Sequence, residues 1–231
     1  MGRAIIGRTK EQPMPSSTRY PRHGENGGFD RVVYFTDAVF AIAMTLLVVE
    51  IGVPQSIEGA AEDPAAMLGA LGDKGPLIFA FFLGCYVIGS YWAAHHRFMT
   101  WLAAVDRGFV ALTVVYLSFV ALLPFPTGVL GEFGENPISV VAFAVNMGAV
   151  STMETVLFSH ARRRRLFREE LPEEVYRWAV RTSLLPVLLF ALSLPVAFVR
   201  PWLAILIWLM ALPLQLLLSR YRPEEAGRYL A

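Results

Sequence analysis

Apolar residues dominate six separate stretches of the chain, each close to the length that crosses a lipid bilayer. A helix needs about 20 predominantly apolar residues to span the hydrocarbon core. Because lipid offers no hydrogen bonds to the backbone, helices are the favoured spanning structure for such stretches. The pattern predicts an all-α integral membrane protein with six transmembrane helices. The stretches lie at residues 32–53, 76–94, 108–126, 138–159, 178–199 and 201–219.

Short segments rich in helix-breaking and helix-capping residues separate these stretches. They contain Asp63-Pro64, Gly75-Pro76, Pro124 with Pro126, Asn136-Pro137, and Arg200-Pro201. The remaining chain predicts a simple domain organisation. Residues 1–30 are predicted to form a flexible cytoplasmic tail, residues 31–220 a six-helix channel domain, and residues 221–231 a second cytoplasmic tail.

The composition agrees with a membrane environment. Hydrophobic residues make up 55% of the 231 residues and charged residues only 17%, against about 25% charged in soluble domains. The net charge of +1 gives no basic excess that would indicate a nucleic-acid partner. Cys85 is the single cysteine, which excludes an intrachain disulfide and a four-cysteine metal site.

The distribution of basic residues predicts the orientation of the chain. With the N-terminus inside, Lys74 and Arg200 are the only Lys or Arg residues on the outer side. Cytoplasmic loops retain positive charge, so we expect a multi-pass protein of a bacterial cell membrane with both termini cytoplasmic. A basic run after the fourth stretch is either a stop signal for that span or a site for anionic lipid headgroups. It consists of Arg162, Arg163, Arg164, Arg165 and Arg168.

Several functional classes lack their motifs in this sequence. It has no nucleotide-binding loop, zinc-protease helix, nucleophile elbow or carbonyl selectivity filter. We therefore expect neither an enzyme nor a bound cofactor. His95 and His96 are weak metal ligands because adjacent helical residues point about 100° apart and no third ligand is evident. Glu154 lies at membrane depth, with Arg31, Arg97 and His160 as its candidate partners.

The first stretch carries the most informative pattern. On a helix, Ala38, Ile42, Thr45 and Val49 fall within about 60° of one another. Asp37 lies off this stripe, and the cost of a charge in lipid requires it to face protein. Its candidate partners at the cytoplasmic end are Arg31, Thr36, His95 and His96.

The residues of this stretch also match a known family. Arg31, Phe35, Thr36 and Asp37 form the pattern R-x-x-x-F-S/T-D, which is followed by A-V-F-A-I-A-x-T-L-L. Together with YWAAHHRF at residues 91–98 and ALLPFPT at residues 121–127, this pattern resembles the transmembrane protein 175 family of cation channels. The resemblance covers residues 31–127 by motif and the remaining spans by layout.

The resemblance implies a potassium-selective leak channel, built as a homotetramer whose four first helices line the pore. It places the narrowest apolar ring at Ile42, a polar layer that contacts permeating potassium at Thr45, and a further apolar layer at Val49. It implies no metal other than the permeating ion.

The resemblance further implies that Arg31 and Asp37 form a packing network with His95 or His96. Two departures from the family pattern affect this network. Thr36 replaces the usual Ser, and Thr113 stands where the family tends to have Asn.

A proton-coupled secondary transporter that uses Asp37 and Glu154 as proton relays is the alternative prediction. Such transporters contain inverted repeats and discontinuous helices near the midplane. Neither feature is apparent in the sequence.

Overall fold

The computed structural model describes residues 19–22, 27–53 and 63–210, together with 214, 217, 218 and 220. In these residues the chain is a helical bundle with a small two-stranded sheet at one end. The helices are α1 Gly28–Ile51, α2 Pro64–Asp73, α3 Gly75–Thr100, α4 Arg107–Leu122, α5 Pro124–Glu132, α6 Pro137–Arg163, α7 Glu173–Ala197 and α8 Pro201–Leu209, and the strands are β1 Arg19–Pro21 and β2 Ala104–Asp106.

Among the described residues, five helical segments are long and apolar enough to cross a membrane, so the chain is a multi-pass membrane protein. They are α1, α3, the α4–α5 segment Arg107–Glu132, α6 and α7. Leu123 keeps helical dihedral angles between α4 and α5, so the third span continues beyond its predicted end. The sixth predicted span begins with α8, but much of residues 211–219 lies outside the described residues, and this span stays a prediction.

The predicted caps and breakers begin the helices. Asp63 Oδ1 accepts a hydrogen bond of 2.9 Å from the amide of Ala65 and starts α2. Asn136 Oδ1 accepts one of 2.9 Å from the amide of Ile138 and starts α6. Both side chains satisfy amides that have no partner within the helix. The short helix α2 was not predicted, because its ten residues carry too weak a hydrophobic pattern to indicate a span.

One face of α1 packs against α3, α4 and α5, burying Phe40, Ala43 and Leu47. Glycines allow the neighbouring helices to approach closely, as is common between membrane helices. A Cβ atom on Gly131 of α5 would lie only 3.0 Å from the Cβ of Ala80 and 3.1 Å from the Cα of Leu77, both on α3. Gly131 therefore sets how closely α5 approaches α3.

Residues before α1 close one end of the bundle, which we call the basic end because it also carries the run at residues 162–168. β1 pairs antiparallel with β2, with Arg19 opposite Asp106. The guanidinium of Arg22 donates to the carbonyl oxygen of Thr100 at 2.9 Å and lies 5.1 Å from the centre of the Phe29 ring. The prediction of a flexible tail over residues 1–30 is therefore wrong for 19–22 and 28–30; residues 1–18 and 23–26 lie outside the described residues.

Asp106 joins the start of α4 to the end of α6. Its Oδ1 accepts a hydrogen bond of 2.7 Å from the amide of Phe109 and lies 2.9 Å from His160 Nε2, while its Oδ2 lies 3.7 Å from Arg164 Nε. Partial burial alone would raise the pKa of the Asp106 carboxyl. The Phe109 amide, His160 and Arg164 outweigh it and hold that pKa below its ordinary value.

Replacing Gly131 with leucine is expected to destabilise the protein by about 1–3 kcal/mol, because the added side chain forces α5 away from α3. Thermal unfolding of the purified protein in detergent, followed by circular dichroism, measures this loss. Gly72→Leu is the matched control, since a Cβ at that position would meet no described atom within 4 Å beyond its chain neighbours and its own helix backbone. Equal melting temperatures for the two variants would contradict the close packing at Gly131.

Asp106→Asn is expected to cost about 1 kcal/mol at pH 7, because it removes a charge from hydrogen bonds at the basic end. Folding lowers the pKa of Asp106, so its contribution is present above the unfolded pKa of about 3.9 and disappears as pH falls through the lower folded pKa. Melting curves from pH 7 down to pH ~3 should show the two proteins converging. Asp63→Asn, another capping position, serves as control, and a gap that stays constant with pH would refute the assignment.

Candidate pore-lining face of α1

The face of α1 opposite the packed residues is exposed in the described part of the subunit. Ile42 is 57% exposed and Val49 67% exposed, and Ala38 and Thr45 are exposed as well. The predicted stripe therefore lies on one side of α1, directed away from α3, α4 and α5. A single helix encloses no pore, so this face needs further helices to form one.

The three predicted pore residues form successive layers along α1. Thr45 lies three residues beyond Ile42 and Val49 four residues beyond Thr45, which corresponds to rises of about 4.5 Å and 6 Å. Thr45 Oγ1 donates a hydrogen bond of 2.8 Å to the carbonyl oxygen of Ile42. Because this bond uses the hydroxyl proton, the oxygen keeps lone pairs that can face a cation.

Asp37 is held by a tryptophan that the sequence analysis did not single out as its partner. Trp92 Nε1 donates a hydrogen bond of 2.9 Å to Asp37 Oδ1 and so joins α3 to α1. The ring of Trp92 lies 5.4 Å from that of His96. A carboxylate at membrane depth needs a hydrogen-bond donor, and an indole N–H can only donate. The tryptophan on the next span was therefore the sequence signal for this contact.

The two adjacent histidines point to different surroundings, as their angular separation requires. His95 is 1% exposed, and its ring stacks on Tyr116 of α4 at 5.0 Å and lies 6.3 Å from Phe40 of α1. His96 is exposed. His95 is thus the histidine at the junction of α1, α3 and α4, and its contacts there are with aromatic rings.

The predicted network of Arg31, Asp37 and a histidine is not assembled within the described subunit. Arg31 is exposed, and it lies about 120° around the helix from Asp37, which directs the two side chains apart. Thr36 is buried and donates to the carbonyl oxygen of Val32 at 2.8 Å. Phe35 is 53% exposed. Thr113 bonds to its own helix, at the carbonyl oxygen of Phe109.

Acidic residues neutralise much of the basic run. Arg162 Nη2 lies 2.6 Å from Glu173 Oε2, and its guanidinium lies 4.0 Å from the centre of the Tyr176 ring. Arg165 Nε lies 3.8 Å from Glu170 Oε1, and Arg164 contacts Asp106. Lipid binding at this run stays a prediction. Among the described residues, Arg163 and Arg168 make no ion pair, so these two arginines are the ones that could bind a headgroup.

Two further expectations concern ionisable groups outside α1. His160, one candidate partner of Glu154, instead bonds to Asp106. That pairing is therefore wrong, since the start of α4 brings a carboxylate closer to the end of α6. In the residues that the structure covers, no group of three His, Cys, Asp or Glu side chains is placed to hold a metal ion.

Several known proteins resemble the chain in sequence. The model of the family described as "Endosomal/lysosomal potassium channel TMEM175" matches residues 31–124. A potassium channel of Streptomyces collinus is 40% identical over 116 residues, or 50% of this chain and 54% of that protein. One from Chamaesiphon minutus is 34% identical over 61% of this chain and 68% of its own length. An endosomal/lysosomal proton channel TMEM175 of Gallus gallus is 30% identical over 57% of this chain and 27% of its own length.

Solved structures share the fold. The crystal structure of a lysosomal potassium-selective channel TMEM175 homolog from Chamaesiphon minutus superposes with a TM-score of 0.68 at 25% identity, covering 84% of this chain and 97% of that one. A variant of the potassium channel MtTMEM175 superposes with a TM-score of 0.59 at 17% identity, covering 90% of this chain and 97% of that one. The family model covers the motif around Asp37, and the Chamaesiphon minutus relative is 34% identical over 68% of its own length. The chain therefore belongs to the TMEM175 family.

Proposed function

We propose that the protein is a potassium-selective leak channel whose pore is lined by α1 from four identical subunits. The observation that carries the proposal is the exposed stripe of Ile42, Thr45 and Val49, which the packing of a single subunit leaves uncovered. The names of the bacterial relatives, which are potassium channels, support the same function.

Ile42 is the gate in this proposal. Four isoleucine side chains that converge on an axis form a narrow apolar ring, from which water withdraws. A dewetted ring is a barrier to ions without any filter of backbone carbonyls. Val49, about 10 Å further along the helix, adds a second apolar layer.

Thr45 provides selectivity. Four hydroxyl oxygens form a ring of acceptors between the two apolar layers, and they replace part of the hydration shell of a passing cation. Sodium holds its water more tightly than potassium and therefore loses more free energy in the exchange. The hydrogen bond to the Ile42 carbonyl fixes the hydroxyl oxygen in place for this task.

Asp37 and Trp92 are positioning residues. Their hydrogen bond joins α1 to α3, and the burial of Phe40 and Leu47 holds the same rotation of α1. Any rotation that moved Ile42 off the axis would break this bond and expose these side chains. The orientation of the pore face is thus set outside the pore.

The proposal includes the surroundings of the channel. The protein is a homotetramer in a bacterial cell membrane, with both termini cytoplasmic and lipid around the outer helices. A proton-coupled transporter is less well supported. The Asp37 carboxylate already binds Trp92, while Glu154 lines a separate cavity formed by α3, α6 and α7.

Proton conduction is the second candidate function, because the animal relatives are named proton channels. The two functions are separable in one preparation. Liposomes with a potassium gradient and an internal pH-sensitive dye report proton flux with and without a potassium ionophore. Flux that needs no ionophore indicates joint permeation of both ions.

Ile42→Asn is expected to raise potassium flux into liposomes several-fold, since a polar ring keeps the constriction wet. Val48→Asn makes a similar change at a residue that is 55% exposed but lies off the stripe, and it should leave flux near the wild-type value. Equal flux in wild type and Ile42→Asn, with both proteins tetrameric by size-exclusion chromatography, would remove Ile42 as the gate.

Thr45→Ala is expected to reduce the preference for potassium over sodium severalfold, because the ring of hydroxyl oxygens is lost. Thr45→Ser keeps the hydroxyl and should retain most of the preference. Reversal potentials under bi-ionic conditions measure the ratio directly. A preference that survives in Thr45→Ala would place selectivity at another layer.

A further inference from the structure

A cavity of about 390 Å³ lies between α3, α6 and α7, away from the α1 face. This volume is within the range typical of small-ligand sites. Arg97 lies three residues before the end of α3, and Trp178 lies in the second turn of α7. The cavity therefore lies close to the basic end, at a depth where membrane proteins meet lipid headgroups.

The polar groups of the cavity are mostly hydrogen-bond acceptors. Glu154 lines it and makes no hydrogen bond or ion pair within the part of the chain that is described. Thr182 and Ser183 also line it, and their hydroxyls donate to the carbonyl oxygens of Trp178 and Ala179. Their remaining lone pairs can only accept. A carboxylate with two accepting hydroxyls suits a donor-rich cation.

The other walls supply aromatic faces and one positive charge. Trp101 and Trp178 line the cavity together with two phenylalanine rings. Aromatic faces attract cations, most strongly when the cation is removed from water. Arg97, the basic residue among the lining side chains, is exposed, and a guanidinium in this position pairs well with a phosphate.

We propose that this cavity binds the headgroup of an aminophospholipid of the phosphatidylethanolamine type. The primary ammonium lies against Glu154, Thr182 and Ser183, and the phosphodiester lies at Arg97. The acyl chains extend from the cavity into the surrounding lipid. The bound lipid then bridges α3 and α7, and its ammonium is a hydrogen-bond donor for the Glu154 carboxylate, while the exposed Arg97 in the same cavity takes the phosphodiester.

The same groups disfavour other common lipids. Phosphatidylglycerol has a phosphate for Arg97 but brings no cation for Glu154. Phosphatidylcholine has a cation for the aromatic rings but no N–H donors for the three acceptors. The cavity should therefore select by headgroup, and this selection does not depend on whether the protein conducts ions.

The test is lipid retention measured by native mass spectrometry of the full-length protein in detergent, with equimolar phosphatidylethanolamine, phosphatidylcholine and phosphatidylglycerol of identical chains. Wild type should retain the ethanolamine lipid preferentially. Glu154→Gln should weaken that retention about tenfold, the size expected for a lost charge-assisted hydrogen bond. Glu135→Gln, an exposed residue before α6, is the matched control and should behave as wild type.

Ala179→Leu fills the cavity without changing its charge, and it keeps the proposal testable if Glu154→Gln does not fold. It should also lose the preference, while circular dichroism shows an intact helical fold. Undiminished preference in either folded variant overturns the proposal. Equal retention of all three lipids by wild type overturns it as well, and a preference for phosphatidylglycerol assigns the cavity to anionic lipid through Arg97.

Discussion

The packing of one face of α1 against α3, α4 and α5 determines the direction of every other side chain on that helix. Phe40, Ala43 and Leu47 are almost completely buried there, and Gly84 of α3 leaves room for Leu47. Because helical side chains keep a fixed angular spacing, burying this face places Ile42 and Thr45 on the opposite side. The direction of the candidate pore face is therefore set by the packing of α1 inside one subunit, on the side of the helix away from that face.

The basic end holds the same helices in register by polar contacts. Arg22 satisfies carbonyl oxygens at the end of α3 while its guanidinium lies over Phe29 at the start of α1. Asp106 satisfies an amide at the start of α4 and reaches His160 on α6. Helix termini leave such backbone groups without partners. These two side chains supply partners, and they thereby couple α1 to α3 and α4 to α6.

Within the bundle, most hydroxyl side chains donate to a carbonyl oxygen of their own helix, while a smaller set of polar contacts joins two helices. Trp92 donates to Asp37, and Trp208 of α8 donates to Ser193 of α7. Glu154 is different, since it faces an open cavity instead of a donor. Glu154 makes no hydrogen bond or ion pair with a described residue, and a carboxylate at membrane depth needs donors, which is the reason to expect a cationic ligand there. Such a charged group separates this peripheral site from the uncharged stripe of α1.

The sequence by itself determined five of the six predicted membrane-spanning helices, the capping roles of Asp63 and Asn136, and the stripe of Ile42, Thr45 and Val49. These features depend on local periodicity and on hydrogen bonds between near neighbours, which a linear pattern contains. Only the tertiary structure decided that Trp92 holds Asp37, that His95 rather than His96 is buried, that residues 19–21 form a strand, and that Glu154 lines a cavity. Each of these depends on which helices become neighbours in space, and residues 55 positions apart, such as Asp37 and Trp92, carry no local signal of their contact.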